Sequence, residues 1–321
     1  MKKLSLLIGT LASILLLSAC TGNNNATTSD TSSLPETQDL PTLRIGMLPA
    51  ENHIPFILAD ERGWDESNGV NLEIVNFSSP RERDAALAAG ELDGVSTDLI
   101  AVSIAQQAGS NLRPVSSSHG NFVLMAADES IQSPADLKGK NVILASNAGP
   151  EYAVAMMLAS AGLTLDDINV MEIPQVPARL ELLQNGQADA AILPEPFGTI
   201  ATAQALHEVS STRTLGLNPF SIAFKDDVIN ENKEAILALF AAYNQAVDYL
   251  NENDQAEFID LFIASVGYPE ELKEKITIPK FTHIVQVKES DFNSVFAWSR
   301  EKGIYSGEQS FFDIISNNVF D

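Results

Sequence analysis

The sequence predicts an α/β fold of two similar lobes, each built on a mixed, mainly parallel sheet. Three observations predict it. First, one stretch is written twice. Ile74 to Phe77, Ser78-Ser79-Pro80, Arg83, Leu87, Gly90 and Asp93 recur as Val170 to Ile173, Pro174 to Pro177, Arg179, Leu183, Gly186 and Asp189, with the last four pairs each 96 positions apart. Second, each copy reads as an apolar run, a polar or proline-rich loop, a helical stretch, a glycine stop, an Asp and a second apolar run. That order is a βαβ unit with a glycine C-cap. Third, the 321-residue chain is long enough for two lobes of ordinary domain size. One repeat is too few for a solenoid. The bland alternative is a chance likeness between two βαβ units.

The first residues stand apart from the fold. Lys2-Lys3 precede an apolar run, Leu4 to Leu17, which closes on Leu17-Ser18-Ala19-Cys20. This resembles a bacterial lipoprotein signal with its lipobox, which implies removal of residues 1–19 and a lipid on the Cys20 sulfur. The alternative is an uncleaved anchor, although the run is short for a membrane span of about 20 residues. Cys20 is the only cysteine, so no disulfide is expected within the mature chain. Residues 20–40 read as a lipidated Cys followed by a polar tether rich in Asn, Thr, Ser and Asp, with a root-mean-square reach of about 25 Å. The formal charge of −24 repels phosphate backbones and anionic lipid head groups, so nucleic-acid binding is not expected.

Residues 41–122 plus 220–321 form the first expected lobe. Leu43 to Leu48 alternates as a strand, Pro49 to His53 is a polar loop, and Pro55 to Arg62 is a helix stopped by Gly63. The loop therefore lies at a strand's C-terminal end and a helix N-terminus, where open α/β sheets bind ligands. Glu51, Asn52 and His53 are candidates there, with a solvent-facing histidine as the plainer reading of His53. The same geometry nominates Ser79 and Arg81, then Thr97 and Asp98 before the helix Leu99 to Ala108. Thr97 and Asp98 read equally well as helix caps.

Residues 123–219 form the second. Ser116 to Asn121, with candidates His119 and Asn121, lead into the buried-strand pattern Phe122 to Ala127. Phe220 to Phe224 is a second such pattern, and two strands crossing between the lobes there would make a hinge. Ser146, Asn147, Gly149 and Tyr152 sit between a strand and the helix Tyr152 to Ala161, where free backbone N–H groups could hold a polar or anionic ligand atom. The alternative is an ordinary connection with Ser or Asn caps. Val176 lies in the loop matching Ser79 and Arg81. In Pro194-Glu195-Pro196 the prolines stiffen the backbone and hold Glu195 at a strand end. Glu195 is a ligand partner if it faces the cleft and one of many surface acids if it does not.

The last third is helical. Ile236, Leu239, Phe240, Tyr243, Val247 and Leu250 fall at helical spacing, followed by helices over Phe258 to Val266, Pro269 to Ile276 and Asp291 to Lys302. This apolar stripe reads as packing that buttresses the first lobe.

Several motifs together resemble a known family. Ala59-Asp60-Glu61-Arg62-Gly63-Trp64, then Leu87-x-x-Gly90-x-x-Asp93-Gly94, Ser133 to Lys140 before the apolar Asn141 to Ala145, and Ala190 to Phe197 with its Pro-Glu-Pro are similar to the extracytoplasmic solute-binding proteins of bacterial ABC importers. The nearest type is the nitrate, sulfonate, taurine and thiamine-precursor group. The resemblance implies a hinged, two-lobed lipoprotein that closes on a small polar molecule. It would then pass its cargo to a permease and ATPase on separate chains. A monomer without a cofactor is implied, and the ligand-loop role of Ser146 to Tyr152 gains support. The chain has no Gly-x-Ser-x-Gly, His-Glu-x-x-His, Walker or Gly-x-Gly-x-x-Gly motif, and His53, His119, His207 and His283 lack metal-site spacing, so no enzyme is expected. Two alternatives stay open: a sensory or protein-binding surface lipoprotein, and, least favoured, a thiamine-pyrimidine-synthesis-type enzyme. Acidic loops with few cations apart from Arg81 lead to the expectation of a neutral or weakly basic heterocycle as ligand.

Overall fold

The repeat becomes two five-stranded sheets with the same strand order. The computed structural model describes residues 40–118, 120–274, 276 and 278–316. The Cys20 anchor, the tether and His119 lie outside them.

The first sheet begins with β1 (Thr42–Met47), α1 (Ile54–Glu61), α2 (Trp64–Asn68), β2 (Asn71–Asn76), α3 (Pro80–Ala89), β3 (Gly94–Asp98), α4 (Leu99–Gln107) and β4 (Leu112–Ser117). The chain then builds the second sheet from β5 (Phe122–Ala126), β6 (Asn141–Leu144), α5 (Gly149–Ser160), β7 (Asn169–Glu172), α6 (Val176–Gln184), β8 (Ala190–Pro194), α7 (Phe197–Ala203) and β9 (His207–Ser211). It returns through β10 (Phe220–Lys225) and finishes with α8 (Asp226–Glu231), α9 (Lys233–Glu252), α10 (Ile259–Val266), α11 (Glu289–Glu301) and α12 (Phe311–Ile314).

The sheet orders are β2-β1-β3-β10-β4 and β7-β6-β8-β5-β9. In each, three strands pair in parallel and one reversed strand, β10 or β5, completes the pairing. The correspondence reaches single residues. Phe220 pairs with Asp98 in one sheet, and Phe122 pairs with Pro194 in the other.

The repeated Asp now has a structural role. Asp93 Oδ2 accepts the Arg44 N–H at 2.8 Å while its own N–H donates to the Arg44 carbonyl at 2.9 Å. Asp189 does the same with Asn141, at 2.7 and 2.9 Å. Each Asp therefore clamps the incoming end of the central strand, a charge-assisted bond to backbone of the stronger kind.

One expectation is corrected. Phe122 to Ala127 and Phe220 to Phe224 do not cross between the sheets: β5 belongs wholly to one and β10 to the other. The crossings are the short segments ahead of them, and these are tied together. Asn121 Oδ1 accepts from the Thr212 hydroxyl at 3.2 Å and the Arg213 N–H at 3.1 Å, and Thr212 N–H donates to the Phe122 carbonyl at 2.9 Å. Irregular segments can absorb a rotation that a strand locked in a ladder on both sides cannot.

The C-terminal helices pack on the first sheet's side, α9 against α1, α2 and β1, and α11 against α4. Ile236, Leu239, Phe240, Tyr243, Val247 and Leu250 are all buried, each large side chain contributing roughly 1.5–3 kcal/mol of hydrophobic transfer. The helix expected over Pro269 to Ile276 is only a single 3₁₀ turn, Glu270–Leu272. The described body forms one compact unit. Among the described residues no helix is long and apolar enough to cross a membrane.

Candidate functional site

Topology brings the C-terminal ends of β1, β2 and β3 face to face with those of β6, β7 and β8. Between them lies a cavity of about 60 Å³, lined on one side by Leu48 to Ala50, Asn52, His53, Pro80, Arg83 and Ser96 to Asp98. Pro150, Val176, Arg179 and Pro194 line the other side, and Phe122 and Phe220 close one end. Ligand pockets commonly measure about 300–1,000 Å³, so the lobes stand nearly shut.

Two buried arginines dominate the electrostatics. They are the repeat's own pair, Arg83 on α3 and Arg179 on α6, at 2% and 0% exposure. Each points from the first turns of its helix under the next strand: one Nη1 donates to the Ser96 carbonyl at 2.8 Å, the other to the Ile192 carbonyl at 3.3 Å. Their remaining partners differ. Arg83 pairs with Asp84 at 2.8 Å and donates to the Thr97 hydroxyl at 2.7 Å. Arg179 donates to the Ile173 and Pro174 carbonyls, both at 2.8 Å, and has no carboxylate in ion-pair contact among the described residues. Burial lowers the Arg179 pKa to about 10, so the group stays charged at neutral pH. The cavity thus holds one guanidinium in direct ion-pair contact and one that feels a carboxylate, Glu172, only at longer range.

Asp98 is the buried acid of the cavity, and it touches both lobes. Its Oδ1 accepts the Ile100 and Ala101 N–H groups at 3.1 and 2.9 Å, capping α4. Its Oδ2 accepts the Gly149 N–H at 3.1 Å, at the start of α5. One carboxylate therefore sits between two helix N-termini, a placement their dipoles favour. Burial raises its pKa, and the nearby Arg83 charge works against that rise. Gly149 is required for this approach: a Cβ there would stand 2.8 Å from the Phe122 ring and 2.9 Å from Asp98 Oδ2. The anion-receiving helix end expected at Ser146 to Tyr152 is thus filled from within the chain.

His53 is neither solvent-facing nor a free ligand group. Its Nδ1 lies 2.6 Å from the Leu48 carbonyl and its Nε2 2.6 Å from the Ser96 hydroxyl. A carbonyl only accepts, so Nδ1 carries the proton and Nε2 accepts from Ser96. Burial lowers its pKa to about 4, which keeps it neutral.

Of the residues expected at the site, the structure brings Asn52, His53, Thr97, Asp98 and Val176 to the cavity. The other described ones lie elsewhere. Arg81 is exposed on α3, because two positions along a helix from Arg83 is the opposite side. Ser79 caps α3 by accepting the Glu82 N–H at 3.3 Å. Asn121 is occupied in the crossing. Ser146 donates to Glu172, and the Asn147 N–H to Glu151. Tyr152, a turn into α5, is turned toward α11, with its hydroxyl 2.8 Å from Ser294 Oγ and its ring against Trp298.

Glu195 faces a different pocket, of about 380 Å³, together with Thr199, Thr202 and Glu208. Its Oε2 accepts the Thr199 N–H at 3.0 Å. Burial is the main cause of its raised pKa. Glu51 meets it across the lobe boundary: the Glu51 N–H donates to the Glu195 carbonyl at 3.4 Å, and Arg213 lies 3.6 Å from the Glu51 carboxylate. Burial first, and the Glu195 charge second, push the Glu51 pKa up to about 7, against the pull of Arg213.

Sequence reasoning passed over Arg83, Arg179, Phe220 and the four prolines of the cavity wall. The signal for the arginines was present, since they are matched positions of the repeat. Among the described residues no group of three or more His, Cys, Asp or Glu side chains is placed to hold a metal ion.

This arrangement, two α/β lobes shut on an arginine-lined cavity at their strand ends, is that of a ligand-enclosing binding protein. Residues 50–257 match the family described as NMT1/THI5 like, and the chain belongs to it. It is similar to a protein of Brachyspira hyodysenteriae named as an ABC transporter periplasmic binding protein, 26% identical over 75% of this chain and 71% of the relative. It is also similar to a protein of Escherichia coli named as an aliphatic sulfonates-binding protein, 27% identical over 70% and 69% of the two chains. Among solved structures, the Xanthomonas axonopodis alkanesulfonate-binding protein bound to MOPS shares the fold, with a TM-score of 0.73, 19% identity and coverage of 86% and 98%. A desulfurization enzyme shares it more distantly, with a TM-score of 0.61 and 12% identity over 87% and 99%. The Brachyspira and Escherichia relatives are both named as binding proteins, in line with the expectation that this chain is not an enzyme.

Proposed function

We propose that this chain is the solute-binding component of an ABC-type importer, and that its cargo is a small organic molecule carrying an anionic or strongly accepting group. The observation that carries the reading is Arg179: a fully buried guanidinium on the cavity wall, bonded only to main-chain carbonyls. A buried charge whose one nearby carboxylate, the exposed Glu172, is not in ion-pair contact is costly, and a bound anion would supply a partner in contact. The Phe122 and Phe220 rings, 4.6 Å apart and tilted by 34°, offer an apolar surface to the rest of the molecule. This replaces the expectation of a neutral or weakly basic heterocycle, which rested on a scarcity of cations that the cavity does not have. The names of the Escherichia coli and Xanthomonas relatives support an anionic cargo.

In this reading residues 41–122 with 220–321 and residues 123–219 are the two bodies that separate to admit the solute. The crossings ahead of β5 and β10, among them Asn121 and Thr212 to Pro219, flex between them. A lipid on Cys20 would hold the monomer on the outer side of the cell membrane, within reach of a permease whose ATPase lies on another chain. Thermal unfolding of the full chain in a panel of sulfonates, nitrate, carboxylates, pyrimidines and flavins tests it. A ligand at 100 times its Kd stabilises by about 2.7 kcal/mol. Stabilisation by one anionic class is the expected outcome. A neutral or cationic compound as the sole hit contradicts the cargo class, and silence of the whole panel after refolding contradicts the receptor role.

A further inference from the structure

A second pocket, of about 300 Å³, opens where the two crossing segments meet the C-terminal loops, and it shares no lining residue with the cavity described above. Its lining is unusual for a chain with 43 acids and 19 Lys and Arg. Arg213, Lys280 and Lys288 line it, and no Asp or Glu does. Tyr243 also lines it, 3% exposed, with its ring 4.6 Å from Phe56 and no hydrogen-bond partner for its hydroxyl among the described residues. The hydroxyl oxygen is not among the enclosed atoms left without a partner, so it opens onto the pocket that the residue lines. Burial raises this phenol's pKa, so it remains a donor at neutral pH. Two acids reach the surroundings: Glu51 lies 3.6 Å from Arg213, and Asp291 accepts the Asn218 N–H at 3.4 Å.

We infer that this pocket is a second ligand site, one that takes a small organic carboxylate, with Tyr243 O–H donating to the ligand and Arg213, Lys280 and Lys288 balancing its charge. The size is at the lower end of the range for ligand pockets, about 300–1,000 Å³, and suits a molecule of a few carbons. The position gives occupancy a consequence. The walls include Gly120 and Gly216 to Asn218, which belong to the crossings, and Arg213 is the residue paired with Glu51 beside the main cavity. An anion here competes with Glu51 for Arg213 and so acts on the lobe boundary.

The test is calorimetric titration of the full chain with succinate, using succinamide as the uncharged counterpart. Saturable succinate binding is expected, with succinamide weaker by at least about tenfold. Tyr243→Phe is expected to weaken succinate by about tenfold or more while melting no lower than the parent, because it removes an unpartnered hydroxyl. Arg179→Met is expected to leave succinate binding unchanged, which separates this site from the main cavity and from the cargo reading. The inference is overturned if succinate does not bind, if succinamide binds as well, or if Arg179→Met abolishes binding. Equal binding by parent and Tyr243→Phe also overturns it. Should Tyr243→Phe fail to fold, Lys280→Gln with Lys288→Gln, both at exposed positions, must produce the same loss for the inference to stand.

Discussion

Arg83 and Arg179 occupy the same place in the two copies of the repeat, yet the chain has given them different work. Both reach under the next strand to a main-chain carbonyl, Ser96 in one lobe and Ile192 in the other. Beside Arg83 stand Asp84 and the Thr97 hydroxyl; at the matching positions beside Arg179 stand Leu180 and Leu193. With a carboxylate and a hydroxyl beside it Arg83 is satisfied within its own lobe, whereas Arg179 meets only main-chain carbonyls in contact. The comparison teaches that the repeat supplied the scaffold and that divergence in neighbouring residues created the polarity of the cavity.

The strongest way to break this comparison is to neutralise each arginine in turn. Arg179→Met is expected to cost less than Arg83→Met, because the loss of donors to the Ile173, Pro174 and Ile192 carbonyls, about 1–3 kcal/mol, is offset by relief of a buried charge that has no ion pair in contact. Arg83→Met is expected to lose roughly 1–3 kcal/mol, because it strips bonds from the buried Thr97 and Ser96 groups. Equal destabilisation by the two would remove the asymmetry. Chemical unfolding of both variants reads the difference directly.

A second contrast concerns pH. Glu51 and His53 are two positions apart, and burial disfavours the charged form of each. The consequences have opposite sign. Glu51, with its pKa raised from 4.5 to about 7, costs stability as pH rises between those values. His53, lowered from 6.5 to about 4, contributes stability that is full above 6.5 and lost as pH falls toward 4. Each shift corresponds to a few kcal/mol at most, at about 1.4 kcal/mol per pKa unit. Glu51→Gln is therefore expected to gain on the parent between pH 4.5 and 7 and to hold that gain above it. A parent-to-variant difference that stays flat across this window would mean that Glu51 is well solvated in the working protein.

The smallest expected effect sharpens the repeat itself. Asp93 and Asp189 clamp equivalent strands, but Asp93 holds the Arg44 guanidinium through two bonds, at 3.0 and 2.9 Å, where Asp189 has only a looser ion pair with Lys140 at 3.8 Å. Asp93→Asn should cost more than Asp189→Asn, by about 0.5–1 kcal/mol, since Arg44 is partly exposed. Matching losses in urea titrations would show that the clamp matters and the ion pair does not.

The architecture was legible because glycine stops, apolar runs and a repeated spacing are local signals. So was the location of the site, since strand ends and helix starts can be placed without knowing any side chain's direction. What the sequence did not reveal was rotation. Arg81 and Arg83 both sit in the first turn of α3, and only the helix's roll decides which enters the cavity. Tyr152 looked like a loop residue until α5 began three positions earlier and carried it toward α11. Glu195 stands at the right strand end, yet the Thr199 N–H draws its carboxylate to the neighbouring pocket. The N–H at the start of α5 was expected to await a ligand, and it is Asp98, 51 positions earlier, that occupies it. Such long-range pairings leave no trace in spacing.

The most direct test of the central claim is to titrate the parent, Arg179→Met and Arg83→Met side by side with the anionic compound that the panel identifies. Loss of at least about a hundredfold in affinity on removing Arg179, roughly 3 kcal/mol, with a well-folded variant, is the expected result. Undiminished binding by Arg179→Met, or a loss confined to Arg83→Met, would contradict the assignment of the solute's charge to the second lobe.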